Sequence, residues 1–135
     1  MDKRRIRLDK YGISKARYDE LKGFCEQYPE WKKEIDSEAY ISSMQYKMAP
    51  GNPNKGTTDM TGTTAVRIVR FQEYMNMIEK CAKEADADYW DKLIACVCYG
   101  ASPKYVVAYY SLPISESAFY DRRRHFFYLL DKVKM

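Results

Sequence analysis

The sequence predicts an all-α protein: a helical hairpin or bundle followed by a C-terminal three-helix, helix-turn-helix unit. Three observations carry this. Apolar residues recur at steps of three and four through most of the chain, helix start and stop residues punctuate it at helix-length intervals, and no segment alternates apolar and polar residues as a half-buried strand does. Only Val106 and Val107, set among tyrosines, make a brief local ambiguity with a strand.

Residues 1–12 read as a basic arm. Ser14 is a candidate N-cap for a first helix over roughly residues 15–27, in which Tyr18, Leu21, Cys25 and Tyr28 share one stripe. Pro29 opens a second helix with Trp31, Ile35, Ala39 and Tyr40, running toward Met48. Residues 50–64 hold two prolines, three glycines and many short polar residues, so they form a loop, either a connector or a contact that orders on binding. A long third helix over roughly residues 62–85 carries Ile68, Phe71, Met75, Ile78 and Ala82 as a seam. That seam suits an antiparallel hairpin with the second helix and equally a homodimer. The chain thus divides into an arm and N-terminal helices over 1–49, the loop over 50–64, and a long helix plus helix-turn-helix over 65–135.

Asp86 is expected to start the fourth helix, whose apolar face holds Trp90, Leu93, Ile94, Val97 and Cys98, and Gly100 ends it. Ser102-Pro103 signals a short fifth helix over 103–110. After the break at Ser111-Leu112-Pro113-Ile114, Ser115 caps a sixth over 116–133, with Ile114 placed to staple onto Phe119.

With 135 residues and 46% apolar content the chain can bury a core without staples. Its net charge of +4 is unevenly spread: residues 1–10 hold five cations against two acids, residues 101–135 hold six against three, and the middle is slightly acidic. Localised cations attract polyanions by releasing condensed counterions. There are 13 tyrosines, which suit either the border of a core or a nucleic-acid surface. No apolar run is long enough to span a membrane and no signal peptide is recognisable, so the expected location is the cytoplasm, in a bacterial host, with no membrane partner. Cys25, Cys81, Cys96 and Cys98 are then expected as thiols; their spacing matches no usual zinc pattern, and no metal or other cofactor is expected.

The sixth helix carries the functional expectation. With Phe119 at the centre of the buried face, Phe126, Leu130 and Val133 fall within about 40° of it at 3.6 residues per turn. The opposite side collects Ser117, Asp121, Arg124 and Tyr128, with Tyr120 on its flank. The N-terminal half of a recognition helix meets base edges in the major groove, so Ser117, Tyr120, Asp121 and Arg124 are the candidate readers of double-stranded DNA. Arg122 and Arg123 flank the core stripe as candidate phosphate contacts, joined by Lys104 on the preceding helix and by Arg4 and Arg5 of the basic arm.

Tyr11-Gly12-Ile13-Ser14, Tyr28-Pro29-Glu30-Trp31, Ile78-Glu79, Ala85-Asp86 and the run from Phe119 to Leu130 together resemble small phage and prophage proteins of the ArpU/RinA-type late transcription regulators. The resemblance covers nearly the whole chain, and the aromatic-arginine run is its most specific part. It implies a sigma-factor-region-4-like helix-turn-helix, a role in switching on phage late genes, and DNA contact through Tyr120, Arg122, Arg123 and Arg124. The turn Leu112-Pro113-Ile114-Ser115 departs from the Pro-Cys type of turn that the family pattern leads one to expect.

Catalysis is not expected. His125 stands alone in an arginine-rich helix, no phosphate-cradling glycine loop occurs, and Asp86 with Asp88 suits a helix start. Beside the transcription regulator, with RNA polymerase and a second copy as candidate protein partners, two alternatives stand: a small-terminase-like DNA-packaging recognition subunit, which forms a ring, and a non-DNA protein-interaction module.

Overall fold

A computed structural model describes residues 12–48 and 62–134 of the chain. The basic arm with Arg4 and Arg5, and most of the Gly/Pro/Thr-rich loop, lie outside the described residues. Six helices occur among those described, and no strand: α1 Lys15–Glu26, α2 Tyr28–Met48, α3 Gly62–Ala85, α4 Trp90–Val97, α5 Pro103–Tyr109 and α6 Glu116–Val133. No helix among them is long and apolar enough to cross a membrane.

Helix starts follow from side chains that satisfy otherwise orphaned N–H groups. Ser14 accepts from the Arg17 amide at 3.2 Å, Ser102 from Tyr105 at 3.1 Å and Ser115 from Ala118 at 3.0 Å. Gly100 follows α4 with φ +80°, a conformation that glycine adopts without a Cβ penalty. Asp86 does not start α4, which begins four residues later at Trp90. Its Oδ1 accepts from the Asp88 and Tyr89 amides at 3.1 and 3.0 Å, so the carboxylate closes a turn after α3 instead.

The described residues divide into two compact units: one from residues up to Gln27 together with those from Met77 on, the other within Tyr28–Asn76. In the second unit Trp31 stacks on Phe71 at 6.1 Å and meets Tyr74 at 5.3 Å, while Arg67 Nη2 donates to Glu34 Oε1 at 2.8 Å. Positions rising along α2 thus meet positions falling along α3, the pattern of an antiparallel pair.

The first unit packs α1, the end of α3, α4, α5 and α6 around Leu21, Cys25, Ile78, Ala82, Leu93, Val106, Phe119, Phe126, Phe127 and Leu130. Phe126 and Phe127 meet edge to face at 5.2 Å, and Tyr18 of α1 meets Phe127 the same way at 5.1 Å. Each fully buried phenylalanine contributes about 1.5–3 kcal/mol by leaving water. Val133, expected on the buried stripe, is 51% exposed, because the core ends at Leu130 and α6 runs one turn past it.

Candidate nucleic-acid interface

Helices α4, α5 and α6 pack against one another pairwise, and α1 covers α6 from another side. Two covered sides make the buried arc of α6 wide. On a 3.6-residue wheel it runs from Phe126 through Phe119, Leu130 and Phe127 to Arg124, so its centre lies about 60° from Phe119, toward Phe127.

That rotation corrects the expected placement of Arg124. Its side chain is not on the open face: the residue is 3% exposed and pairs with Asp121 one turn back. Arg123 also turns inward. Its Nη2 donates to the Tyr18 hydroxyl at 2.6 Å, and its guanidinium lies over the Phe127 ring at 5.6 Å. Arg122 is half-buried, with Nε 3.0 Å from Asp86 Oδ2, an ion pair by distance whose N–H does not point along the contact. Arg122 and Arg123 therefore reach residues outside α6, Arg124 is buried against its own helix, and only the half-exposed Arg122 keeps an outward edge.

Other expected residues do face outward. Ser117 and Asp121 are exposed and Tyr120 is half-buried, all in the first two turns of α6. Lys104 is exposed on the first turn of α5. His125 is exposed one turn past Asp121, with its ring 6.2 Å from Tyr128. Composition alone did not separate core tyrosines from outward ones. The outward ones include Tyr105, Tyr109 and Tyr110, on and just after α5. Tyr105 and Tyr109 are an i, i+4 pair that lies to one side of the buried Val106, and the sequence carries no signal that marks that side as outward.

The four cysteines are free and buried. Cys25 and Cys98 are in hydrogen-bonding contact, and this contact together with burial pushes the Cys25 thiol well above its ordinary range. Burial pushes Cys81 and Cys96 up to about 11 each. Thiols so placed stay protonated and behave as small apolar side chains. Among the described residues no group of three or more His, Cys, Asp or Glu side chains is arranged to hold a metal ion.

Comparison with known proteins adds no relative to this geometry: no protein-family model, no curated protein and no solved structure matches the chain.

Proposed function

We propose that this chain is a DNA-binding transcriptional regulator of the phage late-gene type, in which α5 and α6 act as a helix-turn-helix on duplex DNA. The observation that carries the reading is the mutual packing of α4, α5 and α6, with a Ser115-capped α6 whose first two turns leave Ser117 and Asp121 exposed. A helix held from behind and open along its N-terminal half is what insertion into a major groove requires. Ser117 and Tyr120 offer hydroxyls to base edges or phosphates, while Asp121 is engaged by Arg124. Lys104, and the outer edge of Arg122, supply phosphate contacts. Arg123 serves by holding α6 to α1 through Tyr18.

The test is selection of bound duplexes from a random pool, followed by footprinting of the enriched motif. The reading expects one motif, and an affinity that falls at least tenfold from about 50 to about 200 mM salt. Ser117→Ala and Tyr120→Ala should relax selection at one or two positions. Lys104→Ala should weaken all sequences alike and reduce the salt slope by about 1. A pool that yields no motif rules the reading out.

A further inference from the structure

Most of α5 lies outside the core. Only Pro103 and Val106 of this helix are buried, whereas Lys104, Tyr105, Ala108 and Tyr109 form one exposed arc. Tyr105 and Tyr109 are 55% and 64% exposed, and Tyr110, which follows them, is 44% exposed. The Tyr105 and Tyr109 rings stack at 5.2 Å with 18° between their planes, and Tyr110 meets Tyr109 edge-on at 4.8 Å. Lys92 Nζ sits 4.0 Å from the centre of the Tyr110 ring while also reaching Asp91 Oδ2 at 3.1 Å. No aspartate or glutamate occurs anywhere from Lys92 to Ser115.

We infer that this face of α5 is a stacking surface for unpaired nucleobases, with single-stranded nucleic acid as its ligand. The stacked Tyr105 and Tyr109 rings, each more than half exposed, present aromatic surface to further planar groups. Bases meet that need without sequence preference, because every base has a π-face. A duplex does not, since its base faces are occupied by neighbouring pairs. The charge pattern also selects the occupant. Lys104 beside the rings, with no carboxylate in the segment, matches a phosphate backbone. Asp91, at the Lys92 edge of the patch, is already paired with that lysine, which leaves Lys104 as the charge beside the stacked pair. The inference shares the nucleic-acid class and Lys104 with the function proposed above, but its stacking pair Tyr105 and Tyr109 has no part in that reading, so the tyrosine variants separate the two.

The test is titration of the full-length protein with a fluorescent oligothymidylate of about 20 nucleotides, which forms no duplex, beside a duplex carrying the selected motif. Tyr105→Ala with Tyr109→Ala should weaken oligothymidylate binding by about tenfold or more and leave duplex binding within about twofold, while Tyr105→Phe with Tyr109→Phe should retain both. Ser117→Ala with Tyr120→Ala should leave oligothymidylate binding unchanged. Lys104→Glu gives an arm independent of the rings and should weaken the oligonucleotide at low salt. The inference is overturned if oligothymidylate does not bind, if the alanine pair leaves its affinity unchanged, or if the phenylalanine pair loses as much as the alanine pair. Self-association abolished by the alanine pair, without oligonucleotide binding, would assign the face to a second copy and also overturn it.

Discussion

Arg17 Nε donates to Asp131 Oδ1 at 2.6 Å across 114 positions of sequence, fastening the first described helix to the end of the last. The same guanidinium donates through Nη2 to the carbonyls of Asp131 and Lys134, and through Nη1 to Glu20 at 3.1 Å. The final carbonyls of a helix have no intrahelical donors and carry the negative end of its dipole, so Arg17 caps α6 from outside. The hydrogen bond to Asp131 is the main reason that the Arg17 pKa is raised, against the opposing effect of burial.

Arg17→Ala is expected to lower stability by about 1.5–3 kcal/mol, the range for hydrogen bonds to charged groups. Arg17→Lys should recover only part of this, because an ammonium lacks the planar fork that reaches several acceptors at once. Urea denaturation checks both, and an Arg17→Lys variant as stable as the parent would exclude the capping role.

Arg124 gives a second expectation. Its buried guanidinium pairs with Asp121, so Arg124→Ala should cost about 1–3 kcal/mol through lost packing and a lost charge-assisted contact. An arginine free on the surface would cost within about 0.5 kcal/mol. Thermal denaturation separates the two. Any loss of duplex binding by this variant is expected to track its unfolding, not to act at one base position.

Tyr18→Phe removes the acceptor for Arg123 while keeping the ring against Phe127. The expected loss is about 1–2 kcal/mol by denaturation. Near-ultraviolet circular dichroism should be little altered, since the aromatic packing remains.

The thiols set an alkaline limit. Cys81 and Cys96 titrate at about 11 in the fold, above the ordinary thiol value. An acid whose pKa is raised by folding stays protonated in the native state while the unfolded chain ionises. Stability from these groups is therefore complete below about pH 8.5 and declines as pH rises toward 11. Urea midpoints measured from pH 8 to 10.5 should fall, and less steeply in Cys96→Ala than in the parent. Ellman's reagent at pH 8 should label none of the four cysteines promptly without denaturant, since all four are buried.

Ser111 holds φ +50° in the connection between α5 and α6, the left-handed region that side chains with a Cβ enter at a cost. Ser111→Gly is expected to be neutral or to stabilise by up to about 1 kcal/mol, whereas Ser111→Val should destabilise by a similar or larger amount. Melting temperatures of the two variants test the assignment.

What could be read from the amino acids alone was local. Ser14, Ser102 and Ser115 were expected to cap helices, and each accepts the amide of the third residue on; Gly100 was expected to end α4, and does. These signals work because the capping group and its partner lie within one turn, so no distant contact can remove them. The all-helical character followed from apolar spacing for the same reason.

Tertiary structure alone decided which way each helix turns. The stripe through Phe119, Phe126 and Leu130 was legible, but placing Arg124 outside assumed a single covered side. With α1 and α5 both against α6, the buried arc widened to take in Phe127, Arg123 and Arg124, and the arginine run became part of the scaffold. Asp86 shows the same limit at smaller scale: its carboxylate suits a helix cap or a turn equally, and the path of the chain after α3 chose the turn. The exposed tyrosines of α5 were likewise indistinguishable from core-border tyrosines until Val106 fixed the inward side of that short helix. Sequence periodicity states that a helix has a buried face, but how wide that face is depends on how many neighbours pack against it, and those come from positions a hundred residues away.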